Sequence, residues 1–266
     1  MTHMAPHQLA FVFGILGNIV SFLVYLAPLP TFYRVFKRKS TEGFQALPYS
    51  VALFSAMLML YYAFLKSNDA FMLITINSIG CAIEAIYLTM YMIYAPPNAR
   101  IYTAKLLALF NAGAYGLILL STFFISNSPK RLKVVGWICA VFSVSVFAAP
   151  LAIMRQVVKT KSVEYMPFSL SFCLTLCAVM WFFYGLLIKD MFVATPNTLG
   201  FTFGIAQMIL YIIYKNAKKS VLPEFEVHEI PKGDEVDKDQ KGRGTISIED
   251  LTSTNSRVDG IESIMV

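Results

Sequence analysis

Seven long apolar runs, separated by short polar segments, dominate the first 214 residues of the chain. The runs are Leu9–Tyr33, Leu47–Leu65, Ala70–Tyr94, Leu106–Ile125, Val134–Met154, Met166–Ile188 and Met191–Tyr214. An α-helix rises about 1.5 Å per residue, so about 20 apolar residues cross a hydrocarbon core of roughly 30 Å. Such runs are too long for core strands and too continuous for amphipathic surface helices. The pattern therefore predicts an all-α membrane protein with seven transmembrane helices.

The basic residues of the connecting segments predict how the helices are oriented in the membrane. Twelve Lys and Arg residues follow runs one, three, five and seven, whereas five lie on the opposite side. Cytoplasmic loops carry the excess of Lys and Arg. We therefore expect the N-terminus outside and the C-terminus in the cytoplasm. No Lys or Arg precedes the first run, which argues against a cleaved signal peptide.

The net charge of +6 is the sum of two opposed regions, so it does not indicate binding to nucleic acid. Residues 1–219 contain 17 Lys and Arg against 5 Asp and Glu, and residues 220–266 contain 5 against 11. The acidic segment is polar and poor in aromatic residues, which predicts a disordered cytosolic tail. Candidate sites for a kinase acting on this tail are Ser247, Thr252, Ser253 and Ser256.

The composition also excludes an ordinary soluble enzyme. The chain is 57% apolar and 14% charged, whereas soluble domains carry about 25% charged residues. The sequence holds no phosphate-binding glycine loop, no nucleophile elbow and no paired catalytic carboxylates. Its four cysteines lie inside apolar runs without CxxC spacing and are predicted to be packed thiols. We therefore expect no enzymatic activity, no cofactor and no metal site.

An internal repeat divides the apolar part of the chain. An offset of 122 residues places Ala27-Pro28 on Ala149-Pro150, and Lys39-Ser40-x-Glu42 on Lys161-Ser162-x-Glu164. Tyr62 then matches Tyr184, and Asn77 matches Asn197 within a two-residue shift. Each copy has three runs, and run four has no counterpart. Two directly joined copies of three helices would have opposite orientations in the membrane, and the extra helix gives them the same orientation. Parallel repeats of this kind are typical of transporters that bind their substrate near the membrane midplane.

This 3+1+3 arrangement gives the predicted domains. They are the first three-helix repeat (1–95), the linker helix with its loops (96–130), the second repeat (131–219) and the tail (220–266).

Four prolines recur at matched positions of the two repeats. Pro28 and Pro150 lie in the last third of the first helix of each repeat, and Pro48 and Pro167 at the start of the second. Proline removes a backbone donor and kinks a helix, which makes these four residues candidate hinges. Pro48 and Pro167 are also compatible with ordinary helix-start prolines.

The matched Asn77 and Asn197 are the principal candidates for a ligand site. Paired polar residues inside a membrane are functional candidates, although they also serve as hydrogen bonds that hold helices together. An amide both donates and accepts hydrogen bonds, as a hydroxyl-rich ligand does. Trp181 offers a flat apolar face nearby, and the alternative is an anchor at the membrane interface.

Three further polar residues lie near the outer helix ends. Tyr62, Lys66 and Asp190 are predicted to form a charge-assisted cluster that closes the outer mouth, with exposed loop charges as the alternative. Glu84 is the carboxylate that lies deepest in a run, and the three histidines lie outside the runs. Proton-coupled carriers use relays of such groups. The pattern therefore favours uncoupled transport, with Glu84 in a structural pair.

The motifs that carry a family resemblance occur in both repeats. They are Ala27-Pro28-x-Pro30-Thr31-Phe32, Arg38-Lys39-Ser40-Thr41-Glu42, Leu47-Pro48-Tyr49, Ile76-Asn77, Ser143-Val144-Ser145-Val146-Phe147-Ala148-Ala149-Pro150 and Val163-Glu164-Tyr165-Met166-Pro167-Phe168. With them the chain resembles the plant SWEET (MtN3/saliva) sugar transporters over about residues 8–216, and is most similar to the sucrose-transporting clade.

The resemblance implies a proline tetrad, a sugar-binding asparagine pair and an extracellular Tyr–Asp gate. It also implies a pocket lined by small residues at Ser21, Val24, Ser55, Ser143, Val146 and Cys177. Two residues depart from the family pattern. The family commonly has Trp where this chain has Met59, and Ser or Asn where it has Cys177. Met59 therefore argues against a two-sided aromatic sandwich around the sugar.

The sequence thus predicts a bidirectional uniporter that carries sucrose by alternating access across the plasma membrane. A homo-oligomer in the lipid bilayer is expected. The alternatives are a hexose uniporter of the same fold, carrying glucose or fructose, and a seven-helix receptor. A receptor would not show the matched Pro and Asn positions of a 3+3 repeat.

Overall fold

Seven helices long and apolar enough to cross a membrane make up the described part of the chain, which in this computed structural model comprises residues 5–66, 70–164 and 166–216. We number them α1 (Pro6–Arg38), α2 (Leu47–Lys66), α3 (Phe71–Tyr94), α4 (Pro97–Phe123), α5 (Ser128–Thr160), α6 (Phe168–Leu187) and α7 (Met191–Tyr214). No strand occurs within these ranges. The prediction of an all-α, seven-helix membrane protein is confirmed. Residues 217–266, which include the predicted tail (220–266) and its phosphorylation sites, lie outside the described residues.

The helix boundaries follow local chemistry rather than hydropathy alone. The side chain of Asp190 accepts hydrogen bonds from the backbone N–H groups of Phe192 and Val193 and so starts α7. Asn127 starts α5 in the same way, through the N–H of Lys130. At the far end of the first helix of each repeat, Lys39 and Lys161 adopt left-handed backbone conformations with φ of 54° and 56°. The two repeats therefore end their first helix with the same turn.

The first helix of each repeat is interrupted at the same place. In α1 the regular helix ends at Leu26 and resumes at Leu29, and in α5 it ends at Val146 and resumes at Ala148. In both interruptions a backbone N–H reaches only three residues back, from Ala27 to Val24 (3.0 Å) and from Phe147 to Val144 (3.1 Å). The break lies next to the proline of each helix, as expected where proline removes a donor.

The helices pack as a ring around a central space. Within the first repeat α3 packs against α1 and α2, and within the second α7 packs against α5 and α6. Between the repeats, α1 packs on α6 and α2 on α5. This order places α3 and α7 on facing sides of the ring. The linker helix α4 lies outside it, chiefly against α2.

The linker helix has a π-helical segment, Leu107–Ala114, in its middle. Within it Asn111 is buried, and its side chain accepts from the Ser50 hydroxyl (2.5 Å) and donates to the Ser50 carbonyl (3.0 Å). Tyr115 donates to the Met57 carbonyl one turn further on. These bonds fix α4 to α2, because an amide in hydrocarbon requires partners.

The outer surface of the bundle is apolar, as contact with lipid requires. Large hydrophobic side chains are exposed on every helix, including Leu109, Leu117 and Phe124 on and beside α4. The largest cluster of buried residues lies where the repeats meet, around Leu58, Trp181 and Tyr184, and a smaller cluster lies within each repeat. The few buried polar side chains of the helices, among them Asn77 and Asp190, lie in the interior beside these apolar residues.

Candidate functional site

A cavity of about 160 Å³ lies between the repeats, in the middle of the helices. Its walls are Met59, Leu73, Ile76, Asn77, Ser143, Trp181, Phe192, Val193, Pro196 and Asn197. Most of these residues form pairs at equivalent positions of the two repeats: Leu73 with Val193, Ile76 with Pro196, Asn77 with Asn197 and Met59 with Trp181. The cavity therefore lies on the axis that relates the repeats.

The side chains of the two asparagines line the cavity in the same way. The amide nitrogen of Asn77 donates to the Leu73 carbonyl (2.8 Å), and that of Asn197 donates to the Val193 carbonyl (2.7 Å). Each bond uses one amide hydrogen and fixes the side chain against its own helix. The second N–H and the carbonyl oxygen of each amide make no hydrogen bond within the described residues. The pair thus offers two donors and two acceptors to a polar ligand.

Trp181 forms one wall and is held in place by a hydrogen bond across the repeats. Its indole N–H donates to the hydroxyl of Ser21 (2.9 Å), which also contacts the thiol of Cys177 (3.0 Å). The ring meets Tyr184 edge-on, with centroids 5.3 Å apart. On its other side lies Gly17 of α1, where an added Cβ would come within 3.0 Å of the indole. Gly17 therefore allows α1 to approach the ring closely.

The predicted small lining residues fall into two groups. Ser143 lines the cavity, and Ser21 and Cys177 lie behind Trp181. Val24, Ser55 and Val146 do not line it in this conformation, and the Val146 side chain is exposed. Met59 is part of the wall opposite Trp181.

The predicted outer cluster is assembled and buried. The Tyr62 hydroxyl donates to the Asp190 carboxylate (2.8 Å), and the Lys66 ammonium pairs with the same oxygen. Tyr62 and Asp190 are 2% and 3% exposed, which excludes a set of freely solvated loop charges. Since Tyr62 and Lys66 belong to the first repeat and Asp190 to the second, the cluster ties the repeats together at this end.

A second tie at the same end was not predicted. The Arg131 guanidinium of α5 donates twice to the Tyr61 hydroxyl of α2 (2.8 and 3.1 Å), and Tyr61 also contacts the Thr122 hydroxyl (2.8 Å). Both ties join the two repeats at the Asp190 end of the bundle. At the other end, the matched bonds Lys39–Tyr94 (3.2 Å) and Lys161–Tyr214 (3.0 Å) join helices of the same repeat. The sequence offered one indication of this second tie, because Arg131 is among the five basic residues predicted to lie outside the membrane.

The predicted hinge prolines occupy two kinds of position. Pro28 and Pro150 lie at the interruptions of α1 and α5, whereas Pro48 and Pro167 lie at the starts of α2 and α6. The cavity-lining Pro196 lies inside α7 and was not predicted. Its missing N–H leaves the carbonyl four residues earlier without its helical donor.

The comparisons with known proteins agree with this architecture. A family model described as "Sugar efflux transporter for intercellular exchange" (MtN3_slv) matches residues 11–99 and again residues 133–219. The chain is 61% identical over 211 residues to the bidirectional sugar transporter SWEET13 of Oryza sativa subsp. japonica, covering 79% of this chain and 71% of that protein. It is 56% identical over 239 residues to the bidirectional sugar transporter SWEET11 of Arabidopsis thaliana, covering 90% and 82%.

A solved structure is similar as well. A eukaryotic SWEET transporter superposes with a TM-score of 0.75 at 34% identity, covering 79% of this chain and 98% of the solved chain. The family model, the relatives and the fold agree with one another. The chain is a multi-pass membrane protein that belongs to the SWEET (MtN3/saliva) family of sugar transporters and not to a class of enzymes.

Proposed function

We propose that this chain is a uniporter that carries sucrose in both directions across the plasma membrane by alternating access. The observation that carries the proposal is the matched pair Asn77 and Asn197 in a cavity on the axis between the repeats. Two amides that face a ligand from both sides suit a compound with hydroxyls all around it. Trp181 adds an apolar face for the C–H surface of a sugar ring.

The ties between the repeats indicate from which side of the membrane sugar reaches the cavity in this conformation. Tyr62 and Lys66 with Asp190, and Tyr61 with Arg131, close one end, which the distribution of basic residues assigns to the outside. Breaking these ties while new contacts form at the cytoplasmic end would expose the same site to the other side. Kinks at Pro28 and Pro150 supply the bending that this exchange needs.

A hexose uniporter is the second candidate, and the cavity volume favours it. Typical ligand pockets have volumes of about 300 Å³ or more, so a cavity of about 160 Å³ suits a small sugar better than a disaccharide. Sucrose therefore requires the cavity to widen. The short side chains behind the cavity wall, at Ser21 and Cys177, leave room for that widening.

Liposomes that contain only the full chain test the proposal. We expect labelled sucrose to enter without any proton or ion gradient, and to enter faster than glucose at equal concentrations. Asn77→Ala and Asn197→Ala should each reduce uptake more than tenfold at equal protein content. Uptake of glucose but not of sucrose would select the second candidate, and no flux of any sugar would refute both.

A further inference from the structure

The phenyl ring of Phe192 in α7 lies directly against a glycine of α5. A Cβ atom added at Gly136 would come within 2.6–2.8 Å of the Cγ, Cδ2 and Cε2 atoms of this ring. Carbon atoms in van der Waals contact are about 3.5–4.0 Å apart, so only glycine at position 136 lets the ring keep its place. Because Cγ is one of the three atoms, a tilt of the outer part of the ring would not relieve the collision.

The same ring is part of the cavity wall, and its other neighbours limit where it can move. Trp137 meets it edge-on from α5, with centroids 5.6 Å apart, and Tyr62 meets it edge-on from α2 at 6.1 Å. The backbone N–H of Phe192 donates to the Asp190 carboxylate (3.0 Å), which fixes the start of α7. The free space beside the ring is the cavity. A ring that loses its place against Gly136 therefore turns into the cavity.

The first repeat contains the same kind of contact at matched positions. Gly14 matches Gly136 at the offset of 122 residues, and Met72 matches Phe192 in the register of the two asparagines. A Cβ atom added at Gly14 would come within 2.5 Å of the Met72 Cγ. Met72, however, is 8% exposed and is not part of the cavity wall. Of the two matched contacts, only that of Gly136 with Phe192 therefore affects the space for a ligand.

The small volume of the cavity makes the position of this ring important. The cavity measures about 160 Å³, whereas ligand pockets typically begin at about 300 Å³. A side chain that projects further into so small a space excludes the larger of two ligands first. One methylene group in a binding pocket changes the discrimination between two substrates by about 10- to 200-fold. A ring displaced by one methyl group should therefore have a measurable effect on selectivity.

We propose that the contact between Gly136 and Phe192 determines whether the cavity admits a disaccharide, because it keeps the phenyl ring out of the space that a second sugar ring needs. The inference rests on the proposed function, since it concerns the size of the sugar in the same cavity. Phe192 contacts the sugar. Gly136 does not line the cavity and acts through Phe192, so it is a positioning residue.

Uptake of sucrose and glucose in competition, into liposomes that contain the full chain, tests the proposal. With both labelled sugars at equal concentration, the ratio of their initial rates equals the ratio of their Vmax/KM values. A variant that only cycles more slowly leaves this ratio unchanged. We expect Gly136→Ala to lower the sucrose-to-glucose ratio at least tenfold. The double variant Gly136→Ala/Phe192→Ala lacks the displaced ring, so its ratio should return to the native value or exceed it.

A matched control adds the same methyl group in the first repeat. Gly14→Ala collides with Met72 as Gly136→Ala collides with Phe192, so both variants should have lower melting temperatures. Gly14→Ala should nevertheless leave the uptake ratio within twofold of the native value. Phe192→Ala alone enlarges the cavity and should raise the ratio at least threefold. This single variant tests the proposal even where Gly136→Ala does not fold.

Four results would overturn the proposal. They are an unchanged ratio in Gly136→Ala, an equal change in Gly14→Ala, an unchanged ratio in Phe192→Ala, and a double variant that excludes sucrose as strongly as Gly136→Ala does. If the native chain carries glucose and no sucrose, the proposed function fails by itself. Phe192→Ala should then admit sucrose, and its continued exclusion would overturn the inference as well.

Discussion

Removing one hydroxyl group from the outer tie should shift the balance between the closed and open states. Tyr62→Phe deletes the hydrogen bond to Asp190 (2.8 Å) and keeps the ring, which meets Phe192 edge-on at 6.1 Å between centroids. A hydrogen bond to a charged group contributes about 1.5–3 kcal/mol. Each 1.4 kcal/mol is about a tenfold change in an equilibrium constant. The outward-open population should therefore rise roughly 10- to 100-fold.

Cys139 offers a natural reporter for that opening. The residue is 2% exposed and its thiol contacts the Leu58 carbonyl (3.5 Å), beneath the Tyr62–Asp190 tie. With the other three cysteines replaced by serine, a small membrane-impermeant thiol reagent added outside reacts only when this end opens. We expect the reaction rate to rise at least tenfold in Tyr62→Phe.

A matched control removes the same hydroxyl elsewhere. Tyr115→Phe breaks the bond from α4 to the Met57 carbonyl, which does not join the two repeats, and should leave the Cys139 rate unchanged. The reasoning is refuted if Tyr62→Phe reacts no faster than the native protein. It is equally refuted if Tyr115→Phe reacts as fast as Tyr62→Phe.

Substitutions at three further positions test other parts of the site. Gly17→Val places two methyl groups against Trp181 and, at about 1–3 kcal/mol for overpacking, should lower the melting temperature and reduce sugar flux, whereas Gly17→Ala should have a smaller effect. Arg131→Gln removes the tie to Tyr61 and should accelerate labelling of Cys139 in the same three-serine background; an unchanged rate would show that this contact does not restrain opening. Pro150→Ala restores a backbone donor in α5, so we expect a higher melting temperature with several-fold slower transport, and unaltered transport would contradict the hinge.

Most of the fold could be predicted because lipid imposes a simple rule on sequence. The lengths of the apolar runs predicted all seven helices. They placed the start of α4 at Leu106, whereas the helix begins at Pro97. The difference arises because Arg100 and Lys105 end an apolar run without ending a helix. A helix continues into the polar interface as long as its backbone bonds and caps allow.

The polar part of the cavity was accessible to sequence reasoning, and its apolar part was not. Asn77 and Asn197 are conspicuous because unpaired amides are costly in hydrocarbon. Leu73 and Val193 are ordinary apolar residues in apolar helices, and only their matched positions in the repeat indicate a shared role. The bond from Trp181 to Ser21 joins residues 160 positions apart, so it depends on tertiary packing that no local pattern encodes.

The attachment of α4 to one side has a mechanical consequence. Its bonds to Ser50 and Met57 attach α4 to α2, so under the proposed alternating access the two moving bodies would have four and three helices rather than three each. Relative motion of the bodies would then change the contact between α4 and α5 as well as those of α1 with α6 and α2 with α5. An apolar crevice of about 470 Å³ lies at the contact of α4 with α5 and is lined by Phe110, Ile118 and Trp137. Trp137 and Val141 of this crevice are exposed on the outer surface of the bundle, so the proposed alternating access would change the size of a space that faces the lipid. We therefore expect the turnover rate to depend on bilayer thickness and acyl-chain packing as well as on the sugar.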